Sequence, residues 1–451
     1  TRRDLFLRYS RCQAVGYLYG FFSVGLGPSI LVWPLLSYIV SRFIFLAYSW
    51  DRHSCCCENL TCMPVKEFPR PAIEFDLLML QVDRLSMLYP DGEITRMLNR
   101  ITQSVLYKIY YDKILRIPAD SQLKAIEMKS APQLRTIKVL GRNNALQQLQ
   151  TLAIDRGLVD ILSLEALHGI RNLTDIQLSR NKLHRLEVSK DPTMVLPIER
   201  LYLPYNLLEF VDIQFFTPFK RLRDLDLTSN RLKQIIVNRP VALPLLFRFL
   251  LPQNLLMQLN CSNWIMPKLG ALSLSMNNLK QLPFGIGQFT ELETLFLNNN
   301  QLTILDLQHL ERLHKLTNLQ IIGNRLHTIL LSPTSQKHRC RRVSLPAMQE
   351  ISFSDNFLTN IDFNLWNMPA LKEMSLENNR LQRLRNFYKK FPNLKIIYVR
   401  NNSIRCSDIV SMKKYLESKM VQIEVKTDKR ACSTSSSFPH PTTAGVICCN
   451  D

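Results

Sequence analysis

The sequence has no HExxH, GxSxG or GxxxxGK[ST] stretch. That removes the helix-borne zinc pair, the strained nucleophile turn and the phosphate-cradling loop of three large enzyme groups. FGIGQF (284–289) is too incomplete for a nucleotide loop. Histidine is sparse and scattered; His309 and His314, five apart, do not share a helix face. The eleven cysteines show no CxxC…CxxC or Cys/His spacing of a zinc site. The chain therefore reads as a non-enzyme without metal or cofactor. Acidic residues are also short, 37 against 57 Lys and Arg, and the net charge of +20 suits an anionic partner. An anionic polysaccharide is the expected one; no nucleic acid is expected.

Charge of either sign is missing from Cys12 to Ser41, after Arg2, Arg3, Arg8 and Arg11. An uncharged stretch of that length can span a bilayer, and the arginines favour a cytosolic N-terminal side, so the remainder is expected outside the cell. Gly16, Gly20, Gly25, Gly27, Pro28 and Pro34 suit a soluble helix poorly. Residues 1–49 read as a signal segment, with Ala47 and Ser49 as a weak cleavage signal, or as a membrane anchor through residues 12–41.

What the sequence does contain is a repeat. LTDIQLSRNKL (173–183), LRDLDLTSNRL (222–232), LETLFLNNNQL (292–302) and LKEMSLENNRL (371–381) are four of ten segments that fit LxxLxLxxNxL, with starts 23 to 25 residues apart except for one gap of 32. This is the leucine-rich repeat pattern. The expected fold is α/β, a leucine-rich repeat solenoid (horseshoe) with cysteine-containing N- and C-terminal caps, because one repeat cannot bury its apolar positions 1, 4, 6 and 11 without neighbours. LQTLAIDRGLV (149–159), with Gly157 at the asparagine position, and LKAIEMKSAPQL (123–134) are degenerate repeats. The expected organisation is an N-terminal cap over 50–122, repeats over 123–405 and a C-terminal cap over 406–451. In that last part, SDIVSMKKYLESKM (407–420) has helical spacing, with Ile409, Met412, Leu416 and Met420 on one side.

Position 9 is asparagine in all ten segments: Asn181, Asn206, Asn230, Asn254, Asn277, Asn300, Asn324, Asn356, Asn379 and Asn402. A short amide both donates and accepts, so it can join one coil to the next at the turn without stranding buried polar groups. These residues are expected to form a structural ladder.

Cysteines cluster before the repeats (Cys55, Cys56, Cys57, Cys62) and after them (Cys406, Cys432, Cys448, Cys449). Stapled caps of this kind belong to oxidising compartments. Cys448 and Cys449 are adjacent, and joining them to each other would strain the bond, so each should reach a different partner. Two intrachain cap bridges satisfy this, and so does an interchain bridge through one of the pair. Cys261 and Cys340 lie three repeats apart, beyond the ~7 Å reach of a bridge. Cys340 and Cys449 are thus candidates for an interchain thiol. Asn59, Asn172, Asn260 and Asn401 stand in glycosylation sequons.

An asparagine-type repeat, then Cys406, a helix, Cys432 and a final GVICC resembles the C-terminal cap of the mosquito leucine-rich repeat immune proteins. That secreted family has members that stabilise a complement-like thioester protein in haemolymph. Its long members continue into a coiled coil that pairs two chains. This chain stops two residues after Cys449, so it resembles short or coil-less members, or else it is truncated. The resemblance implies as partner a complement-like thioester protein or another leucine-rich repeat chain, with a disulfide-linked dimer as one form.

Across strand positions 2, 3, 5, 7 and 8 of the ten repeats there are seven basic and nine acidic residues, so the inner face is not the basic one. Positive charge gathers instead in KHRCRR (337–342), inside the long repeat, where Lys337, Arg339, Arg341 and Arg342 are polyanion-binding candidates. Among middle-strand residues, Tyr202, Leu250, Phe296 and Tyr398 are expected to be exposed anchors for a protein partner, although strands favour aromatic residues in any case. Two functions follow: a secreted recognition or scaffold protein of insect innate immunity, or a membrane-tethered receptor or adhesion ectodomain.

Overall fold

A computed structural model of the chain describes residues 149–451 apart from 168–169, 332–341, 385–386, 428, 433, 435 and 451. Before these it describes 86–87, 105–107, 114–118, 125–129 and 134–140. The apolar leader, Cys55, Cys56, Cys57, Cys62 and Asn59 lie outside the described residues, as do Lys337, Arg339, Cys340 and Arg341. The chain forms two compact units, Thr1–Ile198 and Glu199–Asp451.

In the first unit, Ser86–Met87, Val105–Tyr107, Ala125–Lys129, Thr151–Asp155 and Asp175–Gln177 pair in succession as parallel strands. Parallel pairing thus reaches back into the stretch read from sequence as N-terminal cap. Strand pairing needs only backbone groups and an apolar inner face, whereas the sequence pattern is recognised by its turn asparagine, which that stretch lacks.

In the second unit, three-residue strands recur once per coil, from Arg200–Tyr202 through Asp224–Asp226, Arg248–Leu250, Ala271–Ser273 and Thr294–Phe296 to Asn318–Gln320, Glu350–Ser352, Glu373–Ser375 and Ile396–Tyr398. All are parallel and in register. Pattern positions 3 and 5 point away from the core and position 4 into it, by strand alternation. In the coil that starts at Leu222, the residues Leu222, Leu225, Leu227 and Leu232 are at most 1% exposed. Behind the strands the core is aromatic: Phe215, Phe216 and Phe219 pack together, and Trp264 lies between Phe249 and Phe289.

After each strand the chain turns through a left-handed residue at position 8, including Ser229 (φ 54°), Gln253 (φ 55°), Met276 (φ 57°) and Asn299 (φ 54°). A side chain there costs about 1–2 kcal/mol, and only Gly323 escapes that cost. Its hydrogen is also needed, because a Cβ would stand 2.3 Å from Asn299 Oδ1. This conformation lets the position-8 N–H donate to the next coil, as in Gln253 to Ser275 O (2.9 Å) and Met276 to Asn298 O (2.7 Å).

The asparagine that follows closes the turn. Asn300 Nδ2 donates to Leu274 O in the preceding coil (2.9 Å) and to Leu297 O in its own (3.1 Å), while its Oδ1 accepts from Leu279 N (2.9 Å). The same three bonds are made by Asn230, Asn254, Asn277, Asn379 and Asn402. Asn356 keeps them across the long repeat, accepting from Leu326 N at 2.9 Å and donating to Ile321 O at 2.9 Å. The ladder therefore continues unbroken across the longest repeat. Asn181 in the first unit accepts from Val159 N and donates to Ile154 O.

The expected helix at 407–420 is instead two short helices, Cys406–Ser411 and Lys413–Glu417, broken at Met412 (ψ 2°). Ile409, Met412 and Leu416 are buried, and Met420 is half-buried beyond the helix. The left-handed turn at Lys419 (φ 58°) redirects the chain into Val421–Gln422, a final parallel strand beside Ile396–Tyr398.

Asn300 is 6% exposed with both ends of its amide engaged. Asn300→Ala should lower unfolding stability by about 1–3 kcal/mol, read from denaturant titration. An unchanged midpoint would remove the ladder from the account of stability.

Candidate functional site

The outward row at position 5 of the second unit runs Tyr202, Asp226, Leu250, Ser273, Phe296, Gln320, Ser352, Ser375 and Tyr398, each in register with the next. Tyr202, Leu250, Phe296 and Tyr398 share this row, yet all four are half-buried rather than exposed. Adjacent strands stand about 4.8 Å apart, so neighbours in the row cover one another's flanks and leave mainly the tips to solvent. The row is a stiff surface with apolar and hydroxyl-bearing stations.

Its chemistry varies along its length. Near Leu250, Arg248 Nε pairs with Asp224 Oδ1 at 2.5 Å, and this carboxylate raises the arginine's pKa further. Phe247 is 46% exposed and lies against Gly270, where a Cβ would be only 2.2 Å from its ring. Further along, Ser354 Oγ lies 2.6 Å from Ser375 Oγ and 3.3 Å from Ser352 Oγ, while Glu350 and Glu373 face each other in register. Periodicity did not single out Phe247 or the serine chain; reading pattern columns across repeats, with Gly270 beside Phe247, is the signal that finds them.

Exposed ion pairs between coils lie off this row. Lys233 Nζ meets Glu209 Oε2 at 2.7 Å and Lys315 Nζ meets Glu291 Oε2 at 2.6 Å. Each lysine's hydrogen bond lowers its carboxylate's pKa. Such pairs contribute little to stability in water. Of the basic cluster at 337–342, Arg342 alone is described, and it is exposed.

The tail forms an antiparallel hairpin of Ser436–Pro439 with Val446–Cys449. Neighbouring residues on a strand point to opposite faces. Cys449, buried beside Ile447, turns inward and bonds Cys406 (Cα–Cα 5.0 Å), while Cys448 points the other way and bonds Cys432 (Cα–Cα 5.4 Å). Cys449 is therefore not an interchain thiol: both members of the double cysteine are used within the cap. Cys261 is the one free cysteine among the described residues. It is buried, and burial pushes its thiol pKa well up.

Three sequon asparagines are described, and all three side chains reach the surface. Asn401 holds a left-handed turn (φ 52°) and donates its Nδ2 to Asn378 Oδ1 at 2.6 Å. Asn260 accepts at Oδ1 from Ser262 N (3.0 Å) and Ser262 Oγ (2.8 Å). Among the described residues, no group of three or more His, Cys, Asp and Glu is placed to hold a metal ion, and no helix is long and apolar enough to cross a membrane.

Parallel strands once per coil, a ladder of turn asparagines from Asn181 to Asn402 and a disulfide-closed C-terminal cap define a leucine-rich repeat fold. No family model and no curated protein matches the chain. Among solved structures it is similar to the leucine-rich repeat domain of mosquito APL1, at 19% identity and TM-score 0.51 over 82% of this chain and 96% of that one. It is also similar to the mosquito LRIM1/APL1C complex, at 19% and 0.50 over 82% and 68%. A Leptospira interrogans leucine-rich repeat protein gives 19% and 0.50 over 76% and 90%. At such identities the likeness is one of fold.

Peptide mapping without reduction should recover Cys406–Cys449 and Cys432–Cys448. Replacing Cys432 and Cys448 together by serine should destabilise the cap by about 3 kcal/mol, the loop-closure value for the 16-residue separation. Cys261 should resist maleimide in the native protein and react once denatured. Because the unfolded thiol ionises near 9.0 while the buried one stays protonated, stability should fall as pH rises above that value.

Proposed function

We propose that this chain is a secreted leucine-rich repeat recognition or scaffold protein of insect innate immunity that binds a protein partner through its strand face. The observation that carries this is the position-5 row, a rigid run of stations that the fold does not use for its own core. Curved repeat proteins bind through such surfaces, and aromatic residues held stiffly carry a large share of binding energy. Two disulfides in one small cap favour an oxidising compartment. The similar LRIM1/APL1C structure is itself a complex. A second leucine-rich repeat chain or a complement-like thioester protein is the partner class proposed.

Serine substitutions at Tyr202, Leu250, Phe296 and Tyr398 in full-length secreted protein test this. Loss of a true anchor should weaken binding by about 2 kcal/mol, roughly 30-fold, measured at a temperature where a thermal melt shows each variant fully folded. Binding that survives all four places the partner elsewhere.

The uncharged stretch at 12–41 supports a second reading, a membrane-tethered ectodomain. Mass spectrometry of the mature N-terminus separates the two, since a tethered protein keeps that stretch. The basic cluster is proposed as a polyanion site and Cys340 as a thiol for a linked dimer. Replacing Arg339, Arg341 and Arg342 by serine should weaken heparin retention mainly at low salt, and Cys340→Ser should abolish a dimer on a non-reducing gel. Unchanged elution, or an unchanged dimer band, rejects the respective assignment.

A further inference from the structure

We propose that Asn260 carries an N-linked glycan whose first sugar lies on the exposed ring of Phe284. This rests on the export reading above and adds a modification site to it.

Three observations meet at this point. Asn260 begins the sequon Asn260-Cys261-Ser262 and is exposed, and the sequon's own backbone N–H and hydroxyl both bond Asn260 Oδ1. The amide is thereby oriented, and among the described residues no partner occupies its Nδ2, the atom that would be linked. At Asn401 the equivalent nitrogen already donates to Asn378, so a glycan there would have to share Nδ2 with the chain of side-chain bonds from Asn401 through Asn378 to Asp355.

The second observation is Phe284. It is 68% exposed, the most exposed large apolar side chain among the described residues. It is the direct parallel bridge partner of Asn260, so the two side chains rise on the same face about 5 Å apart. Two backbone bonds fix their relation, Cys261 N to Phe284 O and Phe284 N to Leu259 O, both 2.8 Å. A pyranose ring presents an apolar face of C–H bonds, and an aromatic ring beside the linkage is the surface such a face covers. An otherwise unexplained exposed aromatic thereby gains an occupant.

The third is position. Asn260 falls outside pattern positions 1 to 11, on the segment between strands, so a glycan there leaves the position-5 row free. Transfer would form Nδ2–C1 as the C1–oxygen bond of a lipid-pyrophosphate-linked oligosaccharide breaks; the pyrophosphate leaves and the amide proton passes to a base of the transferase.

Residues 1–451 are expressed in insect cells in two forms, one that relies on residues 1–49 for export and one behind an added secretion signal. Glycopeptide mass spectrometry should find the sugar increment on the peptide that contains Asn260. An unmodified Asn260 in exported protein overturns the site. If only the form with the added signal is exported and its Asn260 is occupied, the export reading fails while this assignment stands. Enzymatic removal of the glycan should then lower the Tm of wild type, and Phe284→Ala should abolish that drop. Equal drops in both proteins overturn the contact with Phe284.

Discussion

Each coil must reverse direction after a three-residue strand, and the reversal leaves backbone groups at the edge of a leucine core where no water reaches them. The turn asparagine answers this with one side chain. Its Nδ2 reaches carbonyls of two coils while its Oδ1 takes an N–H from the preceding one, as at Asn254 and Asn379. The left-handed residue before it is strained in isolation, but its N–H bonds the next coil, so the strain is offset where it arises. Strand register in the second unit depends on this repeated joint, which holds even where the repeat is longest, between Leu326 and Asn356.

A joint of that kind separates folding from function. Positions 1, 4, 6, 9 and 11 are consumed by the core and the ladder, and the outward positions are left free to vary. Hence one row can carry Tyr202, Asp226, Leu250, Ser273 and Phe296 without cost to the architecture. The same separation explains why a net charge of +20 does not dictate a basic strand face: charge can be placed on any position that the core does not claim.

The C-terminal cap solves a different problem. The last coil has no neighbour to cover it, so two short helices, a final parallel strand and a hairpin take that place. The double cysteine works because strand alternation sends Cys448 and Cys449 to opposite faces. One bond ties the hairpin inward to the helix at Cys406, and the other closes the outer loop at Cys432.

The amino-acid sequence determined the repeat, its register, the buried positions and the ladder asparagines, since each is a short-range pattern imposed by a core that no coil can close alone. It also required that Cys448 and Cys449 reach different partners. Tertiary structure decided which: Cys449 pairs with Cys406 because the hairpin turns it inward, and pairing depends on strand direction that spacing does not encode. Half-burial of Tyr202, Leu250, Phe296 and Tyr398 follows from neighbours 23 to 24 residues away, beyond any local window. The helix break at Met412 was hidden for a similar reason: local periodicity favours one helix, but the chain must leave it to add a last strand to the sheet. The meeting of Asn260 with Phe284 also belongs to the fold alone, because coil stacking, and no feature of either segment, sets those side chains side by side.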